Sequence, residues 1–334
     1  MTSLISVIIP CFRFDEYLTI ALKSIKNQTY TNLEVLVIDD SFGDEIKYEV
    51  DNLNDCRFKH IIGEKRGLAA ALNFGIDLSI GDYIARMDAD DYSLSNRLQV
   101  QLDYLKLYNL DLCGTNIKLF GNINQLTKFP ESNEEIIFNL LITCPIAHPT
   151  VFAKAELFKK YKYDINIFAA EDYELWCRMA LNKVKFGNVQ QFLLEYRTHE
   201  KQISKTDSKH KDNVHLLLDN YSSKYLDFTS YSKFASLNYG LSSKYTTKEI
   251  YELSLFIRNI MKDKSINLNN VTRYVSSLQL RITDINLKTL FIYIRILRKF
   301  GHKVNLIILF YLLLNLIWNI NPHNKRIAFF RNFF

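Results

Sequence analysis

The first hundred residues alternate two hydrophobic rhythms. Residues 4–10 (LISVIIP) and 33–38 (LEVLVI) are short, β-branched apolar runs, the pattern of strands covered on both faces. Between them, residues 16–27 set apolar side chains at 17, 18, 21, 22 and 25, a helical stripe. The pattern predicts a helix over 43–53, a strand over 58–62, an alanine-rich helix over 67–78 and a strand over 83–87. Strands alternating with helices of about a dozen residues predict βαβ units, an α/β fold with a mostly parallel sheet flanked by helices. Beyond a helix at 94–108 the spacing loosens. A hairpin over 112–120 and 125–129, a helix at 133–142, an extended segment at 144–149, a helix at 171–181 and a strand at 184–196 follow. From about residue 205 the pattern is mostly helical and shows no repeat.

In parallel sheets ligands sit beyond the carboxyl ends of the strands, and both acidic clusters of this chain fall there. Asp88-Ala89-Asp90-Asp91 follows the strand at 83–87. Carboxylates in such a place do not belong to a core, because charges stay buried only when paired or metal-bound. Closely spaced oxygens suit Mg²⁺ or Mn²⁺ held together with substrate phosphates. The competing reading is a solvated loop with an aspartate helix cap. Asp39-Asp40 ends the strand at 33–38, either as a turn and cap or as a carboxylate accepting a nucleobase imide N–H, which favours uracil. Lys65-Arg66-Gly67 leads into a helix and is either surface charge or a seat for diphosphate oxygens. Glu171-Asp172 opens a helix whose dipole favours acids there. Beside a cleft, one of the two can act as general base on an acceptor hydroxyl. In Tyr196-Arg197-x-His199, with Ser204 beyond, the histidine is either structural or the completion of a metal shell.

Composition narrows the classes. The 334 residues suffice for two modest domains at roughly 100–200 residues each. With 48% hydrophobic and 23% charged residues the chain is neither disordered nor collagen-like. Five cysteines stand singly, without a C-x-x-C pair, which points away from a cysteine zinc site and a redox dithiol and towards reduced thiols in a cytosolic setting. The chain opens directly on a strand pattern, without the charged and apolar regions of a secretory leader. No G-x-x-x-x-G-K-[ST], G-x-G-x-x-G or G-x-S-x-G occurs, against a P-loop enzyme, a dinucleotide oxidoreductase and an α/β-hydrolase.

The net charge of +6 is unevenly spread. Residues 281–334 hold nine Lys/Arg and one acid, or +8, and the other 280 hold 33 bases and 35 acids, or −2. The body therefore offers no electrostatic case for nucleic acid. Within the tail, 14 of the 17 residues 304–320 are apolar, with basic flanks and Trp318, Phe329 and Phe330 nearby. Three readings stand: a helix docked on the body, a helix lying in an anionic membrane surface, or a span at the low limit of about 17 residues.

Taken in order, SVIIPCFRFDEYL (6–18), SIKNQTYTNLEVLVIDD (24–40), RGLAAALNFGI (66–76), GDYIARMDADD (81–91), AHPTVF (147–152), AEDYELWCRMA (170–180) and EYRTHEKQIS (195–204) resemble the family 2 glycosyltransferases. The resemblance covers about residues 4–205. It implies a GT-A fold, a Rossmann-like α/β sheet, as the catalytic domain over 1–205. A helical extension over 206–300 and a basic, apolar tail over 301–334 would follow. By the resemblance Pro10 and Phe12 line the nucleotide pocket, Asp40 with Asp39 beside it meets the base, and Arg66 approaches the diphosphate. Asp88 holds the ribose or lies near the metal, with Ala89 beside it in the donor site, and Asp90 ligates Mn²⁺ or Mg²⁺. Asp172 is the catalytic base with Glu171 beside it. His148 sits near the donor sugar or acceptor, and His199 contacts the diphosphate or metal.

Two departures stand out. The family's DDGS reads Asp39-Asp40-Ser41-Phe42, with the glycine displaced to Gly43, and its frequent arginine after H-P-x-V is Lys154. The expectation is an inverting transfer from a nucleotide-diphosphate sugar, UDP-linked, to a lipid-linked or growing surface glycan. The setting would be cytoplasmic, peripheral at the inner face of a bacterial membrane. A sugar nucleotidyltransferase and a catalytically silent glycan-assembly protein are the alternatives. The first lacks its usual glycine-rich basic loop at Pro10-Cys11-Phe12-Arg13, and the second should have lost the metal and base residues kept here.

Overall fold

Every side chain of β1 (Ile5–Cys11) and β2 (Leu33–Asp39) is buried in the computed structural model. The two strands pair in parallel, and their register sets Cys11 beside Asp39, so they end together. β3 (Phe58–Ile62) extends the sheet past β2, and β4 (Tyr83–Arg86) joins on the other side of β1. The order β3-β2-β1-β4 changes direction at β1, which opens a crevice at the carboxyl ends of β1 and β4.

Helices cover both faces. α1 (Leu18–Lys26), α2 (Glu45–Asn52) and α4 (Arg97–Leu107) bury Leu22, Ile46 and Leu98 against the face that carries Ile5, Val7 and Ile9. α3 (Leu68–Leu78) lies on the opposite face. A Cβ on Gly75 would come 2.6 Å from Ile8 Cγ2, so the glycine lets this helix press against β1.

The second half departs from the parallel scheme. β8 (Phe152–Lys154) pairs antiparallel with β4 and with β6 (Leu112–Gly121). β9 (Phe186–Thr198) runs parallel to β6, and β5 (Tyr92–Ser93) closes the sheet antiparallel to β9. The expected hairpin forms between β6 and β7 (Gln125–Thr127). The sheet is thus parallel where strands and helices alternate and mixed beyond β4. β5 and β8, of two and three residues, are too short to show a period. α5 (Asn133–Asn139) begins at a Ser132–Glu135 capping box and ends before residue 142. α6 (Ala155–Tyr161) was not expected, whereas α7 (Glu171–Leu181) coincides with the helix read from the sequence. The segment at 144–149 is not extended throughout. It turns into a 3₁₀ helix over His148–Thr150, where the Thr150 N–H and hydroxyl both donate to the Ala147 carbonyl, at 2.9 and 2.7 Å.

The structure describes residues 2–141, 143–167 and 169–199, with 217, 220, 221 and 224, all within the unit Met1–Thr229. Of the expected helical extension over 206–300, those last four positions are described, and all are helical. Ser204 and the tail over 301–334 lie outside the described residues. Among the described residues no helix is long and apolar enough to cross a membrane.

Candidate active site

β4 delivers the first acidic group. Beyond Arg86 the Met87 N–H still donates to Ile8 O at 3.2 Å, and the chain then turns over the rim as Asp88-Ala89-Asp90-Asp91. Arg86, almost wholly buried, grips Asp88 with two prongs, Nη1 to Oδ2 at 2.8 Å and Nη2 to Oδ1 at 2.6 Å. From β9 the Arg197 N–H donates to Asp91 Oδ1 at 2.9 Å, and His199 Nε2 lies 3.1 Å from Asp90 Oδ2. One ligand oxygen each from Asp88, Asp90 and Asp91 falls within 4.8 Å of the others.

Asp91 Oδ2 is buried and has no hydrogen-bond partner. Burial, then the charges of Asp88 and Asp90, push the Asp91 carboxyl well above the usual carboxylate range. Burial likewise raises Asp88, with Arg86 opposing. Crowded carboxylate oxygens with an imidazole alongside are the donor set that a hard divalent cation takes. These residues fit Mg²⁺ or Mn²⁺.

β2 delivers the second group. Asp39 is tied inward, Oδ2 to His60 Nε2 at 2.7 Å and Oδ1 accepting from Ser41 N at 2.8 Å. Burial raises its pKa, but the bonds from His60 and Ser41 outweigh that and leave it lowered. Asp40 is the half of the pair with capacity to spare. Its Oδ1 accepts from Lys65 N at 2.9 Å, and its buried Oδ2 has no partner. A Cβ on Gly63 would fall 2.0 Å from Asp40 Oδ1, so only glycine leaves this carboxylate its place.

The two acidic loops share one rim. Cys11, which ends β1, is pushed far up by burial and then by the charges of Asp39, Asp15, Asp88 and Asp90. Pro10 is buried beside it, and Phe12 emerges at 41% exposure. Arg66 is less committed, since the bond it makes is to Glu64, 3.3 Å away and outside the acidic loops. The displaced glycine of the Asp39-Asp40 loop leaves Phe42 almost fully exposed under the Lys65 ammonium, 4.0 Å from its ring centroid. Lys154, in place of the family arginine, pairs with Asp111 at 2.7 Å.

α7 delivers the third group. Asp172 Oδ1 accepts from Tyr173 N at 2.7 Å, and Oδ2 faces Cys144 Sγ at 3.6 Å. Burial raises the Asp172 pKa, with the Tyr173 N–H and Arg86 opposing. Burial and the neighbouring Asp172 push Glu171 up to about 7, and Arg86 and Asp88 are felt there too. His148 Nε2 bonds the Tyr163 hydroxyl at 2.9 Å, and burial together with Arg86 holds its pKa well below the usual range, so the ring is neutral.

Arg86 therefore pairs with Asp88, and its charge is felt at Glu171, Asp172 and His148, yet sequence reasoning passed over it. A charge inside the apolar strand at 83–87 was the signal. Tyr163 and Cys144, which touch His148 and Asp172, carried none.

Known proteins resemble this chain. The Glycosyl transferase family 2 model matches residues 6–162. The O-antigen biosynthesis glycosyltransferase WbnJ of Escherichia coli is 35% identical over 213 residues, 61% of this chain and 83% of that protein. The E. coli UDP-Glc:alpha-D-GlcNAc-diphosphoundecaprenol beta-1,3-glucosyltransferase WfgD is 27% identical over 208 residues, 62% of this chain and 81% of that protein. Some curated relatives are much longer, and the chain spans 36% of two of them. Among solved structures, S. aureus TarS 1-349 in complex with UDP-GlcNAc superposes with a TM-score of 0.54 at 14% identity, over 90% of this chain and 93% of that one. That likeness speaks for the fold. The chain is a glycosyltransferase of the GT-A fold and belongs to glycosyl transferase family 2.

Proposed function

We propose that the enzyme moves a sugar from a UDP-linked donor to a hydroxyl of a lipid-linked or growing surface glycan, with inversion at the anomeric carbon. The observation that carries this reading is the acidic loop at the carboxyl end of β4, where Arg86 holds Asp88 and one oxygen each from Asp88, Asp90 and Asp91 lies within 4.8 Å of the others, with His199 against Asp90. The relatives' names support it. WfgD is named for a UDP-Glc donor and a diphosphoundecaprenol acceptor, and WbnJ for O-antigen biosynthesis. Membership of the family speaks against the nucleotidyltransferase, and the retained acidic residues speak against a silent assembly protein.

In this reading Asp40 Oδ2 accepts the imide N–H of uracil while Pro10 and Phe12 flank the base. Arg66 turns from Glu64 to the diphosphate, and neutral His148 contacts the sugar or the acceptor. Asp90, Asp88 and Asp91, with His199, hold the divalent cation, which when bound offsets charge on the departing diphosphate. The acceptor oxygen bonds the anomeric carbon as the bond to the diphosphate breaks. Its proton passes to Asp172 Oδ2, and UDP leaves. The direct test supplies UDP-, GDP- and CMP-sugars with Mn²⁺ and a lipid-diphosphate-linked GlcNAc, and determines the product's anomeric configuration by NMR. Consumption of a UDP-sugar with inversion is expected; retention, or use of GDP- or CMP-sugars alone, contradicts the reading.

The base must be ionised to act, and the site raises its pKa, so kcat should fall on an acid limb as pH drops. Glu171, pushed up to about 7, is uncharged where Asp172 titrates. Glu171→Gln is therefore expected to leave that limb in place, and an acid limb that moves or disappears in this variant counts against Asp172 as the base. At the other loop, Gly63→Ala displaces the Asp40 carboxylate. UDP affinity should fall about tenfold or more, a hydrogen bond to a charged group being worth about 1.5–3 kcal/mol, as calorimetry would read. The basic tail over 301–334 completes the proposal by holding the enzyme to the cytoplasmic membrane face. The full chain should co-sediment with anionic liposomes and the chain lacking 301–334 should not.

A further inference from the structure

Three features of β9 and its surroundings meet at one side chain. The Arg197 guanidinium lies over the Tyr17 ring at 3.7 Å and over the Phe120 ring at 4.4 Å. Phe120 is its register partner on β6, and Tyr17 stands at the N-terminus of α1, so the two rings come from separate parts of the fold. Held there, Nε donates to the Asp90 backbone carbonyl at 2.9 Å, while the Arg197 N–H donates to Asp91 Oδ1 at 2.9 Å. Two residues on, His199 reaches Asp90 Oδ2.

We propose that Arg197 is a positioning residue for the acidic loop, a planar clamp that fixes the Asp90 backbone so that the Asp90 carboxylate and His199 address one point. The inference rests on the metal-assisted reading above. It assigns Arg197 no contact with the cation or the sugar. A guanidinium suits the task because it is flat, stacks on aromatic faces and points its Nε–H in a fixed direction, which a lysine ammonium does not. A group that orients a metal ligand from outside the coordination sphere typically changes metal affinity by about 10–100-fold.

The test is Mn²⁺ titration of the full chain, read by loss of the free-ion EPR signal, for the wild type, Arg197→Lys and Asp90→Asn. Arg197→Lys keeps the charge and the main-chain bond to Asp91 and loses the stacked Nε–H. It is expected to weaken Mn²⁺ binding about 10–100-fold, with kcat recovering towards wild type at saturating Mn²⁺ and with an unchanged thermal midpoint. Tyr17→Leu and Phe120→Leu, which leave Arg197 in place and remove one stacking face each, should shift Mn²⁺ affinity in the same direction by less. They decide the matter should Arg197→Lys fail to fold. Mn²⁺ uptake by the wild type that Arg197→Lys, or both leucine variants, match overturns the clamp alone. Absence of uptake by the wild type overturns the metal reading and the clamp with it.

Discussion

Asp172→Asn is expected to lower kcat by about 10²–10⁴-fold, the range a positioned general base supplies, while the donor KM stays unchanged. Asparagine keeps the shape and still accepts the Tyr173 N–H, but it cannot take up a proton at Oδ2. The fold should not suffer. Burial raises the Asp172 pKa, so the native state already disfavours the charged carboxylate, and a neutral amide removes that cost. A steady-state comparison with a thermal scan separates the outcomes. Loss of kcat with an equal or higher melting temperature is the signature of a missing base. Near-full turnover would move the proton to another group, Glu171 first to be tested.

The second large effect is at the acidic loop. Asp90→Asn removes the carboxylate that His199 faces and lowers the charge that draws a divalent ion. The ion's contribution to transition-state charge is several kcal/mol, so kcat/KM should fall roughly 10²–10³-fold at a fixed Mn²⁺ concentration. Raising Mn²⁺ should restore part of it, because Asp88 and Asp91 remain. Activity of wild-type size that ignores added Mn²⁺ or EDTA would contradict the metal assignment.

Strong local periodicity made the first half of the fold legible. β1 and β2 are apolar throughout because both faces are covered, and α1 and α3 carry helical stripes, so strand and helix followed from the pattern. β5 and β8 escaped because two or three residues hold no period, and their pairing partners lie far along the chain. The acidic side chains were visible for a related reason. Charges at the ends of apolar strands stand out, which exposed Asp40 and Asp90, and the acids opening a helix exposed Asp172.

What the sequence hid is mutual arrangement. Nothing local announces that Asp39 would spend its oxygens on His60 and Ser41 while Asp40 keeps one open, since His60 comes from the neighbouring β3. Nor could it show that the charge of Arg86, paired with Asp88, would be felt at Glu171, Asp172 and His148 from two other segments. Arg197 was written in the motif, yet its partners Tyr17, Phe120 and Asp90 all lie far from it along the chain.

In the proposed reaction two acidic loops at one sheet rim serve a single donor, the first reading the base and the second seating the cation. Calorimetric titration of UDP into the full chain, with and without Mn²⁺, tests this most directly in the wild type, Asp40→Asn and Asp90→Asn. The prediction is that Mn²⁺ tightens UDP binding in the wild type, that Asp90→Asn loses this gain, and that Asp40→Asn weakens UDP whether or not the metal is present. UDP binding indifferent to Mn²⁺ and untouched by either substitution would contradict it.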